Sequence, residues 1–195
     1  MRTSTIARAT KETSIALTLN IDGSGKTELS TGVGFFDHML DALSRFALID
    51  LTLTCQGDTH VDAHHTVEDV GICLGKALRD ALGDRAGIRR VGSAYLPMDE
   101  SLAFCAVDIS GRPYLAFSAE FGAPMVGAFD TQLAEEFFRA VAVNAGLTLH
   151  LKIIEGRNDH HKLEALFKAF GLALRDAAAL DPRVTGVLST KGTLD

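Results

Sequence analysis

One motif occurs twice in this chain, first as Asp62-Ala63-His64-His65-Thr66-Val67-Glu68 and again as Asn158-Asp159-His160-His161-Lys162-Leu163-Glu164. The two copies of His-His-x-x-Glu lie 96 residues apart, and from His64 to Leu82 nine of nineteen aligned positions are identical. An internal repeat of this length predicts two equivalent halves. We place the first half at residues 1–90 and the second at residues 91–195, together forming one compact domain.

Hydrophobic periodicity predicts the same order of elements, ββαβα, in both halves. The elements expected in the first half are a hairpin of strands 14–20 and 27–30, a helix at 35–46, a strand at 48–55, and a helix that the first His-His pair opens and Gly83 stops. Those expected in the second half are a hairpin of strands 101–108 and 114–121, a helix at 131–144, a strand at 147–154, and the second His-His helix to about residue 180. The fold class is therefore α+β, with two small sheets and the helices packed between them.

Composition limits the possible functions. The chain has 195 residues, is 47% hydrophobic and carries a formal net charge of -6, which argues against nucleic acid or an anionic membrane as the main partner. The sequence shows neither the apolar run of a signal peptide nor one long enough to span a membrane. Three separated cysteines (Cys55, Cys73 and Cys105) favour reduced thiols and a cytoplasmic protein.

One glycine-rich stretch could be a nucleotide-binding loop or a turn. Gly23-Ser24-Gly25-Lys26-Thr27 resembles the end of a phosphate-binding P-loop, but Asn20 stands where the first glycine belongs and no helical pattern follows. We interpret it as a turn between strands.

The duplicated motif carries the ligands of a divalent transition metal. Imidazole and carboxylate are metal ligands, and a glutamate three or four residues after each histidine lies beside it on a helix. Acidic residues also suit helix N-termini electrostatically, but that alternative leaves the four histidines unexplained. Adjacent histidines on a helix point about 100° apart, so each pair can serve two ions. We therefore predict a two-metal site.

Further ligands are less determined by the pattern. His38 lies in the first helix, where a metal ligand and an ordinary polar position are both open. The matching helix of the second half has no histidine, and Glu135 or Glu136 is its nearest candidate. His150 alternates with leucines on a strand, which is typical of an exposed sheet face, and we leave it and His60 out of the site. Cations in turns, namely Arg90, Arg112 and Lys191, suit phosphate or carboxylate but are individually ordinary surface charges.

Taken together, these segments resemble imidazoleglycerol-phosphate dehydratase, a family of histidine-biosynthesis enzymes. The matching segments span the chain in order: Phe36-Asp37-His38-Met39-Leu40, His64-His65-Thr66-Val67-Glu68-Asp69, Asp99-Glu100, Gly111-Arg112-Pro113, Glu136-Phe137-Phe138, Asn158-Asp159-His160-His161-Lys162-Leu163-Glu164, Lys168-Ala169-Phe170 and Ser189-Thr190-Lys191-Gly192.

The resemblance implies a hydro-lyase that converts imidazole glycerol phosphate to imidazole acetol phosphate and water. It implies two Mn²⁺ ions per active site, or other divalent transition metals, which bind the substrate ring as imidazolate. It also implies a shell of 24 subunits with sites built between them. The metal ligands that it implies are His38, His64, His65, Glu68, Glu136, His160, His161 and Glu164. Many members have histidine at the position of Glu136, and the carboxylate adds negative charge to the site.

The resemblance also assigns the remaining roles. The substrate phosphate would be bound by Arg90, Arg112, Lys168, Ser189 and Lys191. Glu12 falls where the family places a glutamate over the substrate, and it is our candidate for moving protons during dehydration. We expect catalysis to depend on Glu12, His64, Glu68, His160 and Glu164.

Two other functions fit a two-metal site. A binuclear hydrolase would use its metals to activate water, and phosphatase or amidase activity without dehydratase activity would reveal it. A structural or storage metal protein would have metals coordinated entirely by protein, whereas catalytic metals keep an open position. The cations near the helices count against storage.

Overall fold

The computed structural model describes residues 1–194 of the chain, so the last residue of the predicted second half, Asp195, lies outside the described residues. The strands are β1 (Thr3–Ala9), β2 (Thr13–Asn20), β3 (Thr27–Ser30), β4 (Asp50–Gly57), β5 (Val91–Met98), β6 (Ser101–Asp108), β7 (Tyr114–Ser118), β8 (Met125–Val126), β9 (Phe129–Asp130) and β10 (Thr148–Glu155). The helices are α1 (Gly34–Ala47), α2 (His64–Leu82), α3 (Leu133–Ala145) and α4 (Asp159–Ala178).

The strands form two four-stranded sheets of the same topology. The first sheet has the order β1-β2-β4-β3 and the second β5-β6-β10-β7, so corresponding strands take corresponding places. The last strand of each sheet, β3 or β7, is parallel to its neighbour, and the other pairs are antiparallel. Only the second half adds a small hairpin, β8-β9, among the described residues. The predicted two-half organisation is confirmed, and the division at residue 90 stays a prediction.

The four helices lie between the sheets, as predicted. The helix α2 packs on the first sheet and α4 on the second, because each strand buries alternate apolar side chains, such as Ile15, Leu17 and Leu19 of β2. Each of these helices also packs against a helix of the other half, α2 against α3 and α4 against α1. The halves therefore share one hydrophobic core. No helix within residues 1–194 is long and apolar enough to cross a membrane.

The two predicted hairpins are wrong. In each half the two strands are separated in the sheet by a third, because β4 lies between β2 and β3, and β10 lies between β6 and β7. The other edge of β2 pairs with β1, and that of β6 pairs with β5. The order ββαβα is present in each half, but one additional strand precedes it, and in the second half the hairpin β8-β9 is inserted before α3.

The turn reading of the glycine-rich stretch is supported by its hydrogen bonds. The backbone N–H groups of Ser24 and Lys26 donate to one carboxylate oxygen of Asp50, at 2.8 and 3.0 Å. A P-loop would direct such N–H groups at a phosphate. Here they connect the turn after β2 to the start of β4.

Candidate metal centre

We call the two copies of the motif the first cassette (residues 64–68) and the second cassette (residues 160–164). The second cassette forms a cluster of three candidate ligands with a histidine of α1. His160 and Glu164 lie one turn apart at the start of α4, with His160 Nε2 3.1 Å from a Glu164 carboxylate oxygen. His38 Nε2 approaches the same oxygen at 3.4 Å. The three residues offer ligand atoms that all lie within 4.8 Å of one another. This spacing fits a shared metal ion, and it makes His38 a candidate ligand of the same ion as His160 and Glu164.

Local sequence explains the position of the cassette. The side chain of Asn158 caps α4 by accepting hydrogen bonds from the backbone N–H groups of His160 and His161. The ring of Phe35, near the start of α1, packs edge-on against the ring of His160, with 5.1 Å between centroids. These contacts hold the start of α4 and the ring of His160 in place.

Lys168 lies beside this cluster. Its Nζ is 2.5 Å from the second carboxylate oxygen of Glu164 and 5.2 Å from the centroid of the Phe46 ring. Burial alone would raise the pKa of Glu164, but the ion pair with Lys168 and the nearby imidazoles keep that pKa below its usual value. Glu164 is therefore an ionised carboxylate at neutral pH, as a metal ligand requires.

The first cassette lies on α2 and is more open. His64 Nε2 is 3.6 Å from a Glu68 carboxylate oxygen, and both side chains are nearly half exposed. His64 and Glu136 line one cavity of about 520 Å³, together with Asp62 and Asp130. Glu136 itself lies 3.8 Å from the guanidinium of Arg139. Within residues 1–194, a set of three ligand atoms as close as that around His160 is found only there.

Helix packing identifies Glu136 as the counterpart of His38. Two equivalent glycines let the helices approach closely: a Cβ on Gly75 of α2 would meet the carbonyl of Val141 in α3, and one on Gly171 of α4 would meet the carbonyl of Leu43 in α1. His38 precedes Leu43 by five residues, and Glu136 precedes Val141 by the same number. The structure therefore supports Glu136 over Glu135 as the second-half candidate.

The second histidine of each pair is oriented by an acid. His65 Nδ1 lies 3.0 Å from Asp58, and His161 Nδ1 lies 2.8 Å from Glu100. These hydrogen bonds raise the pKa of both histidines. They leave each Nε2 available to a metal, as in the carboxylate–histidine pairs that support metal ligands.

Sequence reasoning missed these supporting acids. Glu100 also accepts hydrogen bonds from the backbone N–H groups of Arg157 and Asn158, and together with His161 they hold its pKa far below its usual value. Asp58 and Glu100 each lie at the end of a strand that faces the start of a helix, and this position is the signal by which the sequence could have revealed them.

Glu12 lies next to the first cassette, with a carboxylate oxygen 3.7 Å from His65 Nε2 and its side chain 52% exposed.

The remaining predicted phosphate ligands line a second cavity, of about 690 Å³. Arg90, Arg112, Ser189 and Lys191 all contribute to it, and so does Arg183, which sequence reasoning did not select. Lys168 is not among its lining residues. Four of the five predicted phosphate ligands are thus brought together, and the fifth, Lys168, lies beside the cluster of His38, His160 and Glu164.

The two sites lie at opposite ends of one helix. The backbone N–H of Arg90 donates to the carbonyl of Ala177 near the end of α4, whereas His160 lies in the first turn of that helix. The 17 helical steps from His160 to Ala177 rise about 25 Å. A small substrate cannot contact both sites of the same chain.

The chain is similar to known proteins over nearly its whole length. The family model for imidazoleglycerol-phosphate dehydratase matches residues 31–174. A protein named imidazoleglycerol-phosphate dehydratase from Symbiobacterium thermophilum is 63% identical over 193 residues, covering 99% of this chain and 93% of that protein. One of the same name from Listeria welshimeri is 57% identical over 194 residues, covering all of both chains.

Solved structures are similar over nearly the whole fold. The imidazoleglycerol-phosphate dehydratase of Staphylococcus aureus superposes with a TM-score of 0.84 at 42% identity, covering 92% of this chain and 99% of that chain. The Pyrococcus furiosus enzyme, in complex with (S)-C348, gives a TM-score of 0.84 at 38% identity, covering 97% and 100%. With a family model over most of the chain and relatives of more than half identity, this chain belongs to the imidazoleglycerol-phosphate dehydratase family.

Proposed function

We propose that this protein catalyses the dehydration of imidazole glycerol phosphate to imidazole acetol phosphate in histidine biosynthesis, in the cytoplasm. Family membership supports the reaction class, a hydro-lyase. The observation that carries the assignment to particular residues is the cluster of His38, His160 and Glu164, whose ligand atoms lie within 4.8 Å of one another.

The donor set fits two Mn²⁺ ions per active site. One ion would be held by His38, His160 and Glu164, and the other by His64, Glu68 and Glu136. His65 and His161, whose Nε2 atoms are left available, would complete the coordination. Mn²⁺ accepts both imidazole and carboxylate, so a glutamate at position 136 suits it. When bound, the ions supply Lewis acidity to the substrate's imidazole ring.

The protein's own side chains position the substrate and move protons. Glu12 is exposed beside His65, where its carboxylate can exchange a proton with a substrate carbon or hydroxyl. Arg90, Arg112, Ser189 and Lys191 would bind the phosphate and Lys168 would place a positive charge at the metal end. Binding at both ends holds the glycerol chain in one orientation during loss of water.

The active site is assembled from more than one copy of the chain. We call the cluster of His38, His160 and Glu164 the metal cluster, and the cavity lined by Arg90, Arg112, Ser189 and Lys191 the cation cavity. In one chain the two are about 25 Å apart along α4, a distance much greater than the length of imidazole glycerol phosphate. The cation cavity of one subunit must therefore lie against the metal cluster of another. We propose a closed homo-oligomer, which the family resemblance puts at 24 subunits. Neither nucleic acid nor membrane has a part in this proposal.

The experiment that tests the function is a dehydratase assay on stripped and reloaded protein. Chelated protein should be inactive towards imidazole glycerol phosphate, and Mn²⁺ should restore formation of the ketone product. His160→Ala should remain inactive after reloading, whereas His150→Ala, which changes an exposed strand histidine outside the cassettes, should behave like the wild type. Full activity of the stripped protein, or of His160→Ala, would contradict the proposal. Phosphate release without ketone formation would favour a hydrolase.

A further inference from the structure

Arg90 is held in an unusual backbone conformation by several bonds. Its φ is 71°, in the left-handed region that few residues other than glycine adopt. Its N–H donates to the carbonyl of Ala177, and its carbonyl accepts from the N–H of Ile109. The residue lies immediately before β5, where Val91 pairs with Asp108 at the end of β6. The backbone therefore brings the side chains of Arg90 and Asp108 together.

The side chain of Arg90 makes a two-point ion pair with Asp108. Its Nε donates to one carboxylate oxygen at 2.7 Å, and Nη2 donates to the other at 2.9 Å. Its Nη1 donates to the carbonyl of Leu188, in the segment leading to Ser189 and Lys191, at 2.8 Å. The Arg90 side chain is only 18% exposed. The plane of the guanidinium is thus fixed by Asp108 and by the carbonyl of Leu188.

The hydrogen-bond count of the guanidinium shows what it can still do. A guanidinium has five N–H donors in one plane. Two are used by Asp108 and one by Leu188, so one N–H remains on each of the two terminal nitrogens. Two such donors are what a phosphate accepts from an arginine in a bidentate contact. Arg112 and Lys191 line the same cavity, so the free donors lie among the other phosphate candidates.

We infer that Asp108 is a positioning residue for the substrate phosphate: by fixing the plane of the Arg90 guanidinium, it presents the two free N–H groups to the phosphate and lets the same arginine bind the C-terminal segment at Leu188. This inference rests on the proposed function, because it takes the phosphate to bind in the cavity that Arg90 lines.

Two physical effects of Asp108 oppose each other. Its negative charge repels a phosphate, so its removal could strengthen binding. Its hydrogen bonds hold a long side chain that would otherwise lose rotamer freedom when the phosphate binds. Because Asp108 is paired with Arg90 at both oxygens, its charge is already largely compensated, and we expect the positioning effect to be the larger.

The first half of the molecule offers a matched control. Arg2 lies immediately before β1, as Arg90 lies before β5, and it makes an ion pair with Asp22 just after β2, with Nη2 2.6 Å from a carboxylate oxygen. Neither residue lines the cation cavity. Asp22→Asn therefore removes an ion pair of the same kind from the other half of the duplication.

The test compares Asp108→Asn with Asp22→Asn in Mn²⁺-loaded, assembled enzyme. For Asp108→Asn we expect KM for imidazole glycerol phosphate to rise roughly fivefold to tenfold, the effect of one side chain that must be ordered on binding. We expect kcat to stay within about twofold, because Asp108 is on the phosphate side of the site and not among the metal ligands. The inhibition constant of inorganic phosphate should rise in parallel, that of imidazole should not change, and Asp22→Asn should leave all these values unchanged.

A double-variant cycle separates positioning from a general structural effect. In an Arg90→Ala background, Asp108→Asn should cause no further loss of affinity for inorganic phosphate, because its only route to the phosphate is gone. Asp108→Glu keeps a carboxylate and should show a smaller rise in KM than Asp108→Asn.

Three results would overturn the inference: a fall in KM or in the phosphate inhibition constant for Asp108→Asn, a loss of the same size in the Arg90→Ala background, or an equal effect of Asp22→Asn. Direct calorimetric binding of inorganic phosphate keeps the test independent of the reaction. If the wild type lacks dehydratase activity, the proposed function fails, yet weaker phosphate binding by Asp108→Asn would still support the role of Asp108.

Discussion

Glu136 occupies in α3 the position that His38 occupies in α1, so a carboxylate replaces an imidazole at one of two equivalent places. The two sets of candidate metal ligands therefore differ in charge. The cluster of His38, His160 and Glu164 has one carboxylate, whereas the set of His64, Glu68 and Glu136 has two. Manganese accepts hard oxygen ligands readily, and the second set should suit it at the expense of softer metals.

Metal content tests the role of Glu136. Glu136→His should keep two Mn²⁺ per site, because it restores the ligand type found at the equivalent His38. Glu136→Ala should lose roughly one of the two ions. Metal analysis after gel filtration gives the stoichiometry, and Glu135→Ala, which changes the neighbour that pairs with Arg139, is the control. Two ions in Glu136→Ala would remove this residue from the ligand set.

We expect Glu100 to strengthen the binding of Mn²⁺ by supporting His161. It orients His161 through Nδ1 and holds the start of α4 through two backbone N–H groups. Glu100→Gln should weaken Mn²⁺ binding about 10- to 100-fold, the usual effect of losing an outer acid that supports a ligating histidine. Titration of stripped protein with Mn²⁺ measures this, with the exposed Glu155→Gln as control. Unchanged affinity in Glu100→Gln would show that His161 is oriented without it.

The sequence predicted the repeated ligands but not their supports. Two copies of His-His-x-x-Glu are visible because each lies within one turn of helix. The pairing of His161 with Glu100 joins residues 61 positions apart, across a strand turn, and no local spacing reveals it. The resemblance identified the segment Asp99-Glu100, but only the structure assigns its second residue a contact.

Helices were predictable, and strand order was not. The helix α2 was predicted to start at His64 and stop at Gly83, and it ends at Leu82 with Gly83 as its cap. The strand β1 was missed because Ile6 is the only large apolar residue in an edge strand. The strand β5 was missed because it contains Gly92 and Pro97, which usually interrupt strands. Without these two edge strands, nearest-neighbour hairpins were the simplest pairing, and the structure excludes them.

The close helix crossings should be sensitive to a single methyl group. A Cβ on Gly171 would lie 2.6 Å from the carbonyl of Leu43, so Gly171→Ala must push α1 and α4 apart. We expect a loss of about 1–3 kcal/mol of unfolding free energy, the usual cost of overpacking a core. Thermal or chemical unfolding measures it. Gly34→Ala is the control, because the added Cβ would have no atom within 4 Å apart from its chain neighbours and the nearby backbone of its own helix. Equal stability of Gly171→Ala and wild type would contradict the tight crossing.

We expect low pH to destabilise the turn after β2, whose backbone N–H groups donate to the Asp50 carboxylate. Backbone N–H groups of Ser24 and Lys26 keep the pKa of Asp50 below its usual value. A lowered folded-state pKa contributes stability at neutral pH that is lost as pH falls below about 4. The melting temperature of the wild type should therefore drop between about pH 5 and pH 3 more steeply than that of Asp50→Asn. Identical slopes would mean that this carboxylate contributes nothing to the pH dependence.

At the scale of the whole molecule, the duplication gives each half one candidate metal-ligand cassette, whereas the cation cavity is lined mainly by residues of the second half. The two halves share sheet order and helix packing, whereas the hairpin β8-β9 and the C-terminal segment from Arg183 to Lys191 belong to the second half alone. The cation cavity lies at the far end of α4 from the metal cluster. Under the proposed function, one chain carries both parts of the site, but they are too far apart to act on one substrate molecule.

The most direct test of this account is subunit complementation. His160→Ala removes a proposed metal ligand, Arg112→Ala removes a proposed phosphate ligand, and each variant alone should form inactive oligomers. Oligomers co-assembled from equal amounts of the two should recover about a quarter of wild-type activity, because a site then draws its metal ligands from one subunit and its cation cavity from another. Mixed oligomers no more active than either variant alone, with co-assembly verified by gel filtration, would contradict the claim that the site is shared between subunits.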